Sequence, residues 1–195
     1  MKYDPAVHHR RSIRLPDYNY SQASEYFITL VTHQREHIFG EVRGGSMILN
    51  PLGQIAAAEW LKTTQLRPYV ELHPDEYIIM PNHIHGIIHI IDHVDLVRAQ
   101  RRCAPTDNRC APTDDQHPPA PNVTPHSLAA IVRAYKSAVT YAINTLNDTR
   151  GQPVWQRNYY EHIINSEKET LRIQAYIKNN PANWLNDNEN ALRGK

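Results

Sequence analysis

Cysteine is scarce: only Cys103 and Cys110 occur in 195 residues, both within a Pro-rich stretch. They can build neither a disulfide framework nor a paired CxxC zinc site, and a cytoplasmic location is the default expectation. Long apolar runs are missing too. The longest fall far short of the roughly 20 residues that span a bilayer, and the opening MKYDPAVHHRRSIR carries charges with no apolar block behind them. Neither export nor membrane insertion is expected. Nor is there an excess of one charge, since 21 Lys and Arg stand against 20 Asp and Glu, a formal net charge of +1. A nucleic-acid binder would usually announce itself with a far more basic composition, so any such surface must be local. Its candidates are the arm His8, His9, Arg10, Arg11 and Arg14 and a basic face on a later helix; both also read as ordinary solvated charge runs.

With 41% hydrophobic residues, the chain suffices for one domain with a proper core and is too short for two ordinary ones. The segment EYFITLVT, Glu25 to Thr32, is aromatic and β-branched and predicts a first strand. A short strand at Met47 to Leu49 follows the turn signals at Gly40 and Gly44-Gly45. Asn50-Pro51 then opens a helix to about Gln65, with Ile55, Ala58 and Leu61 expected inward. Val70 to Met80 and His83 to Ile91 predict two antiparallel strands joined by Pro81-Asn82. Between 97 and 123 the composition turns to Pro, Asp, Arg and Gln, and RCAPTDN at Arg102 to Asn108 recurs as RCAPTDD at Arg109 to Asp115. Two copies of seven residues make no solenoid, so a disordered insertion is expected. Thr124-Pro125 opens the most periodic helix, whose stripe is Leu128, Ile131, Val132, Tyr135, Val139, Ala142, Ile143 and Leu146, with Arg133 and Lys136 on its polar side. Val154 to Ile164 reads as a strand or extended segment. Ser166 and Glu169 form a capping box for a last helix that ends near Asn180, before Pro181. This order predicts an α+β fold, an antiparallel sheet with helices packed on it. The expected domain comprises 1–96 and 124–184, with 185–195 a flexible tail.

Two constellations carry chemistry. In a strand, the side chains of His83 and His85 project to one face about 7 Å apart at the backbone, within reach of one cation. His89 lies on that face as well, and Ile84, Gly86, Ile88 and Ile90 form the apolar opposite side. With no cysteine near, a mixed imidazole and amide-oxygen shell suits Mg2+ or Mn2+, with Zn2+ the competitor. On the last helix, Arg172, Tyr176 and Asn180 stand four residues apart on one side. Arg172 can contact a phosphate, Tyr176 can attack it, and Asn180 can lend an amide oxygen to a metal. Tyr159 and Tyr160 are rival nucleophiles in a patterned segment, but lack a helical partner four residues on.

The run MPNHIHGIIHI, Met80 to Ile90, the later VWQRNYYEHIINSEKETLRIQAYIKNNPANW, Val154 to Trp184, and the N-terminal RRSIRLPDYNYSQASEYFITLVTHQREHIFG together resemble the REP-associated tyrosine transposases, relatives of the single-tyrosine insertion-sequence transposases. The resemblance covers most of the chain outside the insertion and the last ten residues. It implies a ferredoxin-like palm. It also implies a divalent ion, Mg2+ or Mn2+, on His83, His85 and Asn180, and Tyr176 in Tyr-Ile-Lys-Asn-Asn-Pro as a nucleophile forming a 5′-phosphotyrosine link. The implied partner is single-stranded DNA bearing REP-like hairpins, gripped through Arg10, Arg11, Arg14, Arg133, Lys136 and Arg172. Monomer and homodimer, and a tyrosine acting in cis or in trans, all remain open. Two other readings are a domesticated repeat-binding protein without strand transfer and a metal hydrolase unrelated to DNA; the first leaves His83, His85 and Tyr176 idle, the second the tyrosine helix and the basic arm.

Overall fold

The computed structural model describes residues 19–91, 124–187, 189 and 190. The arm with Arg10, Arg11 and Arg14, the 97–123 insertion and residues 191–195 lie outside them. Seven strands and three helices follow in order: β1 (Ser24–Val31), β2 (Gly40–Arg43), β3 (Ser46–Leu49), α1 (Pro51–Leu66), β4 (Val70–Glu71), β5 (Tyr77–Ile79), β6 (His83–Ile90), α2 (Leu128–Asn147), β7 (Tyr160–Ile164) and α3 (Glu167–Asn179). The sheet runs β4-β6-β1-β7, with β5 also on β6, and every pairing is antiparallel. If the β4–β5 edge is counted as one interrupted strand, this is the β-α-β-β-α-β connectivity of a ferredoxin-like fold. β2 and β3 form a separate hairpin.

The alternation of β1 and β6 splits the molecule into two cores. Tyr26, Ile28, Leu30, Ile84, Ile88 and Ile90 face one way and bury against α1 and α2. Phe27 and Ile87 face the other way and meet Ile164, Ile173 and Ile177 beneath α3. The histidine face is thus the thinner layer, covered by the last helix. Among the described residues no helix is long and apolar enough to cross a membrane.

Three expectations change. The single strand Val70 to Met80 is β4 and β5, because Pro74 removes a ladder donor and the chain turns, with Glu76 N donating to His73 O. Helix α1 buries Gly53, Ala56, Trp60 and Thr63, while Ala58 and Leu61 face out. Small residues bring this helix close to its neighbours: a Cβ at Gly53 would lie 2.2 Å from Phe39 O. Trp60, the largest apolar group on the helix, sets the phase. Helix α2 begins three residues later than Thr124-Pro125 suggests, capped by Ser127, whose Oγ accepts from Ala130 N; its stripe is buried as far as Ile143, and Leu146 is exposed.

Candidate active site

The Pro81-Asn82 turn does more than join β5 to β6. Asn82 is buried, and its Nδ2 donates to the carbonyls of Arg35 (3.1 Å) and Glu189 (2.7 Å). Its Oδ1 is therefore the atom 2.9 Å from His83 Nδ1, and His83 must donate there. That fixes the tautomer: the lone pair sits on His83 Nε2, which is buried with no hydrogen-bond partner. Two residues on, His85 Nδ1 lies 2.8 Å from Thr29 Oγ1, its register partner on β1. The two imidazole centroids are 4.4 Å apart. Burial holds His83 down to about 4, although the Asp187 carboxylate opposes it. Burial, then the neighbouring His83, holds His85 well below its ordinary value. Both rings are neutral at pH 7, the form that ligates metals.

Helix α3 starts where Ser166 Oγ accepts from Glu169 N and Glu169 Oε2 accepts from Asn165 N. Its Ile173 and Ile177 pack inward, which turns Tyr176 onto the histidine face. The Tyr176 hydroxyl is 3.1 Å from His85 Nε2, and its ring stands edge-on to Phe27 at 6.1 Å. Burial, with the carboxylates of Asp187 and Glu189, pushes this phenol up to about 12. One turn on, Asn180 keeps helical angles (φ −58°, ψ −43°) despite the following Pro181. It is buried; its Nδ2 donates to Asp187 Oδ2 (2.9 Å), and its Oδ1 has no partner.

Asp187 was not foreseen in the sequence. The fold runs past Trp184, the expected domain end, through the 3-10 turn Trp184–Asn186 to the buried Asp187 and Asn190. Asp187 Oδ1 accepts from Glu189 N (2.6 Å), and its donor atoms lie within 4.8 Å of those of His83 and His85. The donor set is thus two imidazole lone pairs and a carboxylate, beside an amide oxygen whose hydrogen-bonding capacity is unused. Two of the buried polar atoms without hydrogen-bond partners, His83 Nε2 and Asn180 Oδ1, belong to these residues, as a cation-binding centre requires. The residues fit a divalent ion.

Of the other sequence candidates, Arg172 is mostly exposed and lines a cleft of about 330 Å³ with Phe27, Tyr160, His162 and Tyr176. Tyr159 and Tyr160 line an adjoining cleft of about 390 Å³ that reaches His85, Tyr176 and Asp187. Arg133 and Lys136 lie on α2, across the sheet from the histidines. Arg133 is exposed, whereas Lys136 Nζ donates to the carbonyl of Gln156 (2.5 Å), with Arg157 and Asn158 carbonyls at 3.4 and 3.5 Å. Lys136 also lines a groove of about 900 Å³ beside α2, and Gln156 borders both this groove and the cleft at Tyr176. Asn82 and Thr29, which orient the two imidazoles, were also missed. Asn82 was legible as the neighbour of His83, but Thr29 emerges only from the strand register.

Over 88% of this chain and 74% of the other, the structure superimposes on a REP-associated tyrosine transposase solved bound to a REP hairpin, with a TM-score of 0.55 and 17% sequence identity. The fold is that of a REP-associated tyrosine transposase. In the ferredoxin-like sheet of this transposase fold, the expected pair His83 and His85 stands on an inner strand. An uncharacterized protein of Haemophilus influenzae is 40% identical over 186 residues, 95% of this chain and 96% of its own length, and the two belong to one family. No family model matches the chain.

Proposed function

We propose that this protein is a tyrosine transposase that cuts and rejoins single-stranded DNA beside hairpin-forming repeats. The observation that carries the reading is the Tyr176 hydroxyl 3.1 Å from His85 Nε2, beside the ligand atoms of His83 and Asp187 and with Asn180 bonded to that carboxylate. Strand alternation and helix spacing do not by themselves bring a phenol to a histidine pair, and such a meeting suits a phosphate-cleaving centre.

His83, His85 and Asn180, joined by Asp187, would hold Mg2+ or Mn2+. When bound, the ion supplies Lewis-acid polarisation of the scissile phosphate. Asn82 and Thr29 hold the imidazoles in register, and Arg172 contacts a phosphate oxygen from the rim. Tyr176 Oη attacks phosphorus as the bond from phosphorus to the 3′ oxygen breaks. The products are a 5′-phosphotyrosine and a 3′-hydroxyl; the proton lost by the phenol is matched by the one the departing oxygen gains. A later 3′-hydroxyl reverses the step and reseals the strand, so no ATP is required. The exposed Tyr160 gives the cleft an aromatic face on which a base of a single strand can stack.

The hairpin itself would be gripped through phosphates by Arg133 and by Arg10, Arg11 and Arg14. The groove beside α2 offers it a path, with Lys136 shaping the wall. The catalytic unit is taken as 1–96 with 124–184 and the packed residues that follow, acting in the cytoplasm.

Incubation with 5′-labelled and 3′-labelled oligonucleotides in Mn2+ tests this. A hairpin with a single-stranded flank should yield a covalent adduct, and the fully paired duplex should not. Tyr176→Phe should abolish the adduct while hairpin binding stays nearly intact. An adduct that survives Tyr176→Phe and disappears in Tyr159→Phe or Tyr160→Phe would overturn the assignment, and hairpin binding without any adduct would favour a repeat-binding protein.

A further inference from the structure

The histidine face of β6 continues beyond the candidate active site to His89, four residues from His85 and so about 13 Å along the strand. There a second group of ligand atoms gathers: His73, Glu76 and His89 bring one donor each within 4.8 Å of one another. His89 Nε2 and Glu76 Oε2 are 2.5 Å apart, and the His73 and His89 rings meet edge to face at 4.9 Å. Glu76 is 4% exposed, and among the described residues its charge pairs with no lysine or arginine. A buried carboxylate needs a compensating positive charge. The surroundings add negative charge instead: Glu25 lies 3.6 Å from His89 Nδ1, and Glu71 is the register partner of His89 on β4.

We propose that His73, Glu76 and His89 form a second metal site, built for Zn2+ or a similar borderline divalent ion. Two imidazoles and one carboxylate, with no amide oxygen beside them to harden the set as Asn180 does at the first site, are a zinc donor set. The cation takes the place of the direct contact between His89 Nε2 and Glu76 Oε2. His73 is exposed, so the fourth position opens to solvent and takes a water. Gln174 Nε2 donates to Glu76 Oε1 (2.8 Å) and orients the carboxylate from α3. The ion therefore ties the 72–76 connection to β6 and, through Gln174, to the helix that carries Tyr176. Nothing in this assignment depends on DNA cleavage.

Co2+ titration of the metal-stripped full chain, followed by its d–d absorbance, tests the site. The unaltered protein should bind two equivalents, and His73→Ala and Glu76→Gln one each. His83→Ala should lose the other equivalent and keep this one. Gln174→Ala should weaken the second affinity about 10- to 100-fold. His73 is at the surface, so its replacement leaves the fold intact even if changes at the buried Glu76 do not. A single equivalent that His83→Ala abolishes and His73→Ala keeps, or two equivalents surviving in His73→Ala, would overturn the proposal.

Discussion

Replacing Gly86 with alanine should strain the strand that carries His83 and His85. Gly86 faces the larger core, and a Cβ there would lie 2.5 Å from Trp60 Cζ2 and 2.7 Å from Cη2. Ordinary carbon contacts are about 3.5–4.0 Å, so roughly 1 Å must be found. The indole has little room to yield. It is 2% exposed, stacked on Tyr77 at 5.8 Å and met edge-on by Tyr135 at 5.3 Å. Tyr135 is itself anchored by its hydroxyl, which donates to Ala56 O at 2.9 Å. Overpacking of this kind costs about 1–3 kcal/mol. At about 2–4 °C per kcal/mol for a chain of this length, Tm should fall by about 2–12 °C. Phenylalanine lacks the two clashing atoms, so in a Trp60→Phe background the same glycine change should cost less than half as much. Differential scanning calorimetry of the four proteins reads this coupling directly. An unchanged Tm in Gly86→Ala, or strict additivity in the double variant, would refute the claim that this contact sets the position of β6.

Other outcomes follow from the site. Burial holds His83 at about 4 and His85 lower than its ordinary value, so on acidification the unfolded chain takes up protons first. Metal-free stability should be whole above about pH 6.5 and be lost between about 6.5 and 4, by on the order of 3 kcal/mol for His83 alone. Urea titrations should show a flatter profile in His83→Gln/His85→Gln, and an equally steep one would contradict the burial argument. Asn180→Ala and Asp187→Ala should each weaken Mn2+ binding. The latter also strips Asn180 Nδ2 and Glu189 N of their acceptor, at a cost of about 1–3 kcal/mol; unchanged affinity in both would remove the C-terminal side of the ligand set. Lys136→Met should lower stability because the Gln156 carbonyl loses its donor. Arg133→Ala should leave Tm alone and reduce the salt slope of hairpin binding by about 1; the reverse pattern would exchange their roles.

The sequence made the histidine face legible because alternation in HIHGIIHI is the strict consequence of an extended chain. It also placed Tyr176 and Asn180 together, since four-residue spacing holds on any helix. The apolar stripe of α2 was readable for the same reason, and its exposed end at Leu146 was not, because periodicity does not say where a neighbouring element stops. Helix α1 was misphased because Ile55 and Leu61 outrank Gly53 and Ala56 on hydrophobicity, whereas close approach to Phe39 and the bulk of Trp60 decided which face turned in. Thr29 and Asp187 were hidden for a different reason. Each reaches the site through tertiary geometry, one by strand register and the other by a turn after Pro181, and neither carries a local pattern.

The two cores differ in size, and that inequality divides the site mechanically. The histidines ride on a strand hydrogen-bonded on both sides and backed by two helices. The tyrosine rides on a helix whose apolar seat comprises Phe27, Ile87, Ile164, Ile173 and Ile177 with Ile78 beside them, supplemented by polar ties such as Thr170 Oγ1 to Glu25 Oε2 (2.8 Å). Local opening begins where little apolar surface must be exposed. One half of the candidate site is therefore an anvil and the other a hammer on a light hinge, and Tyr176 is expected to lift away from the histidine pair while the sheet stays folded.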